Sequence, residues 1–353
     1  MTSRERAVKA LKGEIPDRVP CVPLIDTSYA AAVAKMPVGE CFMNPEAYAY
    51  ALVRTLERHP DIDGVSINIG LSSDIIQEAS KRSGTWTVKT TGGLTWHVPE
   101  NDIGSIGTCE ITDLNDPRFA TDEYLMKACL RTLQAIPESI RKKYLINTTV
   151  TGPYSQVAFL IGVNNLMMAT IDDPEGLDKA IALRVPFALK WVDELTALDP
   201  ACIWIGEGFA SNSLVSRDTY RRHVLPYERA VVERIHSIGK ESLLHICGKL
   251  DDSLESLLET GSDAVEIDWQ VDVAEAKRRI GKKMTLKGNL NTSLLVSSTP
   301  DEIYQLTRTL IEQGKPGGRF IVSSGCCLGR DTPPTSVDAM VRACEDFGTY
   351  TEE

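Results

Sequence analysis

Short apolar runs, rich in β-branched residues, recur along most of the chain and are separated by longer stretches of amphipathic character. They fall at 19–25, 64–70, 144–150, 202–207, 242–246, 264–268, 283–288 and 319–324. Such runs carry few alternating polar positions, which predicts strands buried on both faces. The stretches between them carry helix start signals. Ser3 is placed to cap a helix over 3–12 that Gly13 and Pro16 end, and Asn44-Pro45 opens one to about Arg58. An apolar helix around 155–170 follows Gly152-Pro153, and Asp173-Pro174 opens a long one towards Leu198 with Pro186 as a break. Ser216 caps 217–237, which contains Pro226, and further helices are expected at 252–260, 273–280, from Thr299-Pro300 to Gln313, and at 336–347. Eight buried strands, most followed by a helix, predict α/β architecture with parallel pairing, closed as a (β/α)8 TIM barrel in one domain over 1–353. A doubly wound open sheet is the alternative. The rhythm breaks near residues 83–111, where 85–90 and 94–98 alternate with period two around Thr91-Gly92-Gly93, a β-hairpin inserted between barrel units.

Composition adds limits rather than a function. The 353 residues are 42% hydrophobic and 25% charged, as in ordinary globular proteins, and a net charge of −11 argues against nucleic acid or an anionic membrane surface as partner. No apolar run approaches the ~18 residues of a membrane span, and the polar start Met1-Thr2-Ser3-Arg4-Glu5-Arg6 does not read as a signal peptide, so a cytoplasmic location is expected. No Gly-x-Gly-x-x-Gly follows a strand and no P-loop occurs. The nine cysteines are dispersed, and Cys21, Cys129 and Cys202 lie in apolar runs, which predicts buried thiols rather than disulfides. Cys247, Cys326 and Cys327 stand apart from that pattern.

In Leu243-Leu244-His245-Ile246-Cys247-Gly248-Lys249 a strand delivers an imidazole and a thiol two positions apart, hence on one face, then stops at a glycine. In a barrel the C-terminal strand ends converge on one mouth. His245 and Cys247 end the fifth strand, Gly325-Cys326-Cys327 follows the eighth, Glu207 ends the fourth, Glu266 and Asp268 end the sixth, and Lys287 to Asn291 ends the seventh. One imidazole with two thiolates gives zinc three protein ligands and an open position, as in catalytic sites. The competing reading is a chance His-x-Cys pair and two core cysteines.

Several segments resemble the uroporphyrinogen decarboxylase superfamily: Arg4-Glu5-Arg6 through Pro16-Asp17-Arg18-Val19-Pro20, Thr151-Gly152-Pro153-Tyr154-Ser155, Leu244 to Gly248, Gly288-Asn289-Leu290, and Ser324-Gly325-Cys326 with Asp331-Thr332-Pro333. The resemblance spans nearly the whole chain and implies a (β/α)8 barrel. The decarboxylase branch holds a polycarboxylate substrate with an arginine-rich N-terminal segment. Here that region begins Asp26-Thr27-Ser28-Tyr29-Ala30-Ala31-Ala32 and has no arginine before Arg54. The other branch, of cobamide-dependent methyltransferases that includes methylcobamide:coenzyme M methyltransferases, carries His-x-Cys and a distant Cys as zinc ligands. The resemblance thus implies zinc on His245, Cys247 and Cys326, with Cys326 favoured over Cys327 because it directly follows Ser-Gly.

Methyl transfer between cobalt and sulfur needs a thiolate, and zinc keeps a bound thiol deprotonated at neutral pH. Asp268, with Glu266 behind it, is placed to fill the remaining zinc position at rest, unless both are plain strand-end carboxylates. Asn289 and Asn291 are expected to orient substrate or to form turns. Glu207 is expected either to accept from the His245 ring N–H or to be an ordinary strand-end group. Asn147 and Tyr154 are expected at the mouth, touching substrate or cobamide, whereas His59, His97, His223 and His236 read as packing or surface residues. The expectation is a zinc-dependent methyltransferase acting between a corrinoid and a thiol or methylated small substrate. No Asp-x-His-x-x-Gly cobalamin signature occurs, so the corrinoid is expected on a small partner protein. A demethylase for a methoxylated aromatic, methylamine or methylthio compound, a uroporphyrinogen-type decarboxylase, and a non-catalytic zinc-binding or corrinoid-docking protein are the alternatives; a homo-oligomer is compatible with all of them.

Overall fold

The computed structural model describes residues 1–73, 75–100, 111–120 and 124–350, with side chains from residue 127 onward in the last segment. Ten strands are present among the described residues: β1 Gly64–Ile67, β2 Ile76–Arg82, β3 Thr85–Thr90, β4 Thr95–Pro99, β5 Leu145–Thr151, β6 Cys202–Gly206, β7 Glu241–Ile246, β8 Ala264–Ile267, β9 Thr285–Leu290 and β10 Phe320–Ser324. Seven of them pair in parallel in the order β1-β5-β6-β7-β8-β9-β10. Residues 19–25 close the ring between its two ends. On one side Val22 N donates to Val322 O and Val322 N to Pro20 O, both at 2.9 Å. On the other, Asp63 N donates to Cys21 O at 2.7 Å and Ser66 N to Ile25 O at 3.2 Å. Pro20 and Pro23 lack the N–H a regular ladder needs, so this eighth stave is bridged rather than fully laddered.

The interior is layered. A small apolar cluster takes Val22, Leu24, Leu145, Cys202, Trp204, Leu243, Ala264 and Ile321 from alternating strand positions and joins them to Ala7, Ala10 and Leu11 of the helix Ser3–Leu11. That helix therefore plugs the N-terminal end of the barrel, and Thr285 Oγ1 donates to Ala10 O at 2.7 Å to hold it there. It is capped by Thr2, one residue earlier than expected: Thr2 Oγ1 accepts from Glu5 N, and Glu5 accepts in return from Thr2 N. The larger apolar cluster lies outside the strands, under the helices.

The proline and glycine signals act differently from expectation at three places. Pro186 does not break the helix Pro174–Thr196. It is exposed, so water can take up the carbonyl that its ring leaves unpaired. Pro226 instead sits in the first turn of Leu225–Ser237, where its missing N–H costs nothing, and Arg217–His223 is a separate helix. The helix expected around 155–170 is two, Pro153–Ile161 and Val163–Asp172, parted at Gly162 with φ +83°. The inserted hairpin is a three-stranded antiparallel sheet β2-β3-β4, turning from β2 to β3 through Ser83 and Gly84, both at positive φ. The end of that expected insertion, 101–110, lies outside the described residues. Trp96 and Val98 of β4 are fully buried, and Trp96 packs on Phe159 of the helix Pro153–Ile161.

Candidate metal centre

β7 points Leu243 and His245 into the barrel, and Cys247 follows just beyond its last residue. Gly248 then turns the chain at φ +110°, where a Cβ would stand 2.5 Å from Ser211 Oγ and 2.7 Å from Ser213 Oγ. Gly325 lets the chain leave β10 against the backbone of Trp269, delivering Cys326 to the same mouth. His245 Nε2 lies 2.8 Å from Cys247 Sγ, and Cys247 Sγ lies 3.4 Å from Cys326 Sγ. The three donor atoms lie within 4.8 Å of one another. Tetrahedral zinc with Zn–S near 2.3 Å and Zn–N near 2.0 Å needs donors about 3.5–3.8 Å apart. The cluster meets that with shifts of under about 1 Å, and its donor set is the one zinc prefers. His245 is buried, and both cysteines are half-buried, so the centre faces the mouth.

The electrostatics distinguish the thiols. Hydrogen bonds from Cys247, Cys327 and His245 hold the Cys326 thiol far below the usual thiol range. The Cys247 thiol is pushed up by its hydrogen bond to Cys326 and by burial, with the Asp268 charge adding to it. Cys327 is pushed up in the same way and packs on the Asp26 side of the turn, outside the three-donor group. Burial raises the Asp26 carboxyl to about 6, against hydrogen bonds from Cys327 and Ser28 N.

Each remaining residue singled out in the sequence has a definite place. Asp268 is buried beside the cluster but outside the three-donor group, and its Oδ1 accepts from Gln270 N at 3.0 Å. Glu266 is fully buried beside His245, with Oε2 2.9 Å from His245 Nδ1. That approach is oblique, and Nδ1 has no well-aligned hydrogen bond. Glu266 Oε2 also accepts from Trp204 Nε1 at 3.0 Å, and Oε1 accepts from Lys287 Nζ and, at 3.3 Å, from Ser323 Oγ. The indole of Trp204 flanks the imidazole at 4.9 Å between ring centroids.

Of the two expectations for Glu207, acceptor for the His245 ring or ordinary strand-end carboxylate, the first is not met, because the side chain points elsewhere. Its carboxylate takes Tyr154 N at 3.2 Å, Ser155 N at 2.9 Å and Ser155 Oγ at 2.7 Å. Only its backbone N–H reaches His245, at the carbonyl. The Asn289 Nδ2 donates to the carbonyls of Asp268 and Val271, fixing the turn after β8, and Asn291 caps the helix Thr292–Ser297. Asn147 is buried in β5 with Nδ2 on Ser66 Oγ at 3.3 Å, and its Oδ1 has no partner among the described residues. Tyr154 is buried in the first turn of Pro153–Ile161, and its hydroxyl likewise has no partner among the described residues. Lys287, Trp204, Ser323 and Asp26 had no role assigned from the sequence. Opposite charges inside two consecutive apolar strand runs, Glu266 and Lys287, were the available signal for that buried pair.

Comparison with known proteins adds the family. The model for uroporphyrinogen decarboxylase (URO-D) matches residues 2–347. The chain belongs to the uroporphyrinogen decarboxylase family. Within reach of this family it is 31% identical to a methylated-thiol–coenzyme M methyltransferase of Methanosarcina mazei over 219 residues, 61% of this chain and 57% of that relative. It is 23% identical to the methylcobamide:CoM methyltransferase MtbA of Methanosarcina acetivorans over 362 aligned positions, 98% of each chain. A solved methyltransferase from Methanosarcina mazei superposes with a TM-score of 0.77 at 20% identity, covering 98% of this chain and 99% of that one, which shows the shared fold. No helix among the described residues is long and apolar enough to cross a membrane.

Proposed function

We propose that this protein is a zinc-dependent methyltransferase that moves a methyl group between a corrinoid, presented by a separate small protein, and a thiol. One observation carries the proposal: an imidazole and two thiols from two different strand ends meet within 4.8 Å at the barrel mouth. Methylcobamide:CoM methyltransferases aligned along 98% of the chain support the same reading. His245, Cys247 and Cys326 hold the metal. Zinc there keeps a substrate thiol deprotonated and nucleophilic near neutral pH. Two thiolates and a neutral imidazole balance its charge. Asp268, whose charge already bears on Cys247, is placed to receive the proton that an incoming thiol gives up. Asn147 Oδ1 and the Tyr154 hydroxyl lack partners among the described residues and serve the polar end of the substrate or cobamide. The helix Thr27–Ala34 carries no basic side chain, which weighs against a decarboxylase reading.

The test is metal analysis joined to turnover. Purified protein is expected to carry one zinc per chain, and Cys247→Ala or Cys326→Ala to lose it together with at least about a hundredfold of the rate. Turnover is followed by the visible spectrum of methylcobalamin as a thiol removes its methyl group. A zinc-free preparation with undiminished turnover would falsify the metal role. A second reading takes a methylated thiol as donor, as in the 31% identical methylated-thiol–coenzyme M methyltransferase, and sets the corrinoid as its acceptor. It predicts growth of the methylcobalamin spectrum from reduced cobalamin and a methylthio compound, and it is abandoned if only the reverse reaction occurs.

A further inference from the structure

The barrel wall across from the metal cluster is lined by uncharged hydrogen-bonding groups. Counted round the ring from β1, β7 and β10 are the fourth and seventh of eight staves, so β1 and β5 lie on the opposite side of the mouth. Leu145 belongs to the interior cluster, and strand alternation turns Asn147, Thr149 and Thr151 of β5 inward with it. Ser66 of β1 is the inward neighbour that takes the Asn147 amide. Asn147 Oδ1 and Thr151 Oγ1 are buried and have no partner among the described residues. Buried polar atoms are nearly always hydrogen-bonded, so these two point to a bound molecule. Thr151, Gly206 and His245 are successive register partners on β5, β6 and β7. Gly206 faces inward as Trp204 does, and it is half-buried. A Cβ there would come no closer than 3.7 Å to its nearest neighbour, the Trp204 ring. The strip of wall between the imidazole and the threonine hydroxyl is therefore open. Strand spacing puts about 10 Å between the β5 and β7 backbones, and side chains reach in from both, which leaves a gap of a few atoms.

This strip offers no positive charge. All 38 lysines and arginines fall within the described residues, and none occupies an inward position of β1, β5 or β6. Two of them are buried, Arg184 and Lys287. Arg184 stands on the helix Pro174–Thr196 and donates to Gln156 Oε1 and Phe119 O, and Lys287 on β9 donates to Glu266. Lys249 and Arg330, on the loops after β7 and β10, are exposed, where water and salt screen them. An anionic tail laid on this wall loses its hydration and gains no counter-charge. A hydroxyl or amide tail also loses water, but it gains hydrogen bonds from groups that otherwise lack them. We propose that the substrate thiol lies across Gly206 with its tail on Thr151 and Asn147, and that these residues select a short thiol whose tail is an uncharged hydroxyl or amide. The proposal rests on the methyltransferase reading above and narrows the thiol it acts on. It also separates this chain from the relatives named for coenzyme M, a thiol with a sulfonate tail.

Four thiols separate the possibilities: 2-mercaptoethanol, ethanethiol, cysteamine and 2-mercaptoethanesulfonate, each offered with methylcobalamin to the zinc-loaded protein. The hydroxyl thiol is expected to exceed each of the others in kcat/KM by at least about tenfold. Thr151→Val keeps the shape of the side chain and removes its hydroxyl. It is expected to lower kcat/KM for 2-mercaptoethanol about tenfold more than for ethanethiol, whereas a merely structural effect would lower both alike. Gly206→Val fills the open strip and is expected to raise KM for 2-mercaptoethanol at least about tenfold, with the zinc content of the wild type. Ligand-observed NMR with the product 2-(methylthio)ethanol reads the same contact without turnover, as weaker binding to Thr151→Val. Should a variant fail to fold, the ranking of the four thiols on the wild type decides. Equal or better use of ethanethiol or of a charged thiol, or parallel losses on both neutral thiols in Thr151→Val, overturns the proposal and leaves methyl transfer standing. If the wild type methylates none of the four, the methyltransferase reading itself fails, and the proposal falls with it.

Discussion

Gly325 has no room for a side chain. A Cβ there would lie 2.5 Å from Trp269 N and 3.1 Å from Trp269 Cα, both backbone atoms that cannot swing aside. Since Cys326 is the next residue, the strain of an added methyl falls on the turn that presents its thiol. Gly325→Ala is expected to cost about 1–3 kcal/mol of stability and to weaken zinc binding roughly tenfold, because a displacement of even about 1 Å spoils a tetrahedral site. Chelator competition on the folded variant is the check; wild-type affinity would mean that Trp269 yields and Cys326 does not. At this scale strand parity explains which site residues the sequence exposes. His245 and Cys247 were legible because they lie on one face of one strand. For an acceptor beside His245 the sequence offered Glu207 as one of two readings, yet β6 and β8 both flank β7, so a carboxylate from either strand satisfies the spacing. Parity separates them: β6 turns Cys202 and Trp204 inward, which puts Glu207 on the outer side, whereas β8 turns Ala264 and therefore Glu266 inward.

Glu207 is instead a tie between elements. Its carboxylate sits on the first turn of Pro153–Ile161, where exposed N–H groups and the helix dipole favour an anion. Near it, Glu228 of Leu225–Ser237 accepts from the Tyr220 hydroxyl of Arg217–His223 and leaves Oε1 without a partner among the described residues. Burial pushes the Glu207 carboxyl up to about 7 and the Glu228 carboxyl up to about 8, the latter raised further by the Glu207 charge. Both folded values exceed the ordinary 4.5. The folded state therefore holds protons that the unfolded chain has released, and stability falls as pH rises from about 4.5 to about 8. Glu228→Gln keeps an acceptor for Tyr220 and removes the titrating group. It is expected to be more stable than wild type at pH 8.5 by an amount on the order of 2 kcal/mol, with little difference at pH 5. Parallel denaturant titrations at the two values decide it, and equal pH slopes in both proteins would rule out the pair as their source. Elements as a whole were readable where burial is two-sided, which gives the barrel strands their unbroken apolar runs. β2 was missed for the opposite reason: Ile76–Arg82 is an edge strand exposed from its second residue on, and no hydrophobic pattern marks it.

Closure of the barrel depends on a part of the chain that forms no regular strand. Residues 19–25 carry two prolines and contribute few ladder bonds, so side chains must hold the seam between them and β1. Asp63, the residue before β1, does this from a fully buried position. Its Oδ1 accepts from Arg6 at 2.6 Å, and its Oδ2 accepts from Arg18 at 3.0 Å and from Cys21 N at 2.8 Å. One carboxylate thereby fastens the plug helix, the approach to the seam and the seam itself. Arg6 keeps a second partner in Asp17, so losing Asp63 would not strand it, whereas Arg18 and the Cys21 N–H have no comparable substitute in this network. Removing one member of a buried charged network leaves the others unpaired, at about 3–5 kcal/mol. Asp63→Ala is accordingly expected to lose at least about 3 kcal/mol in urea unfolding, more than the removal of any exposed ion pair on the outer helices, whose worth is about 0–1 kcal/mol. Asp63 and the metal cluster lie at opposite ends of the barrel: Asp63 precedes β1, whereas His245, Cys247 and Cys326 sit at the C-terminal ends of β7 and β10. The variant that still folds is therefore expected to bind zinc as the wild type does. If zinc affinity falls in step with stability, closure at the seam is transmitted to the mouth, and the layers of the barrel cannot be treated as independent.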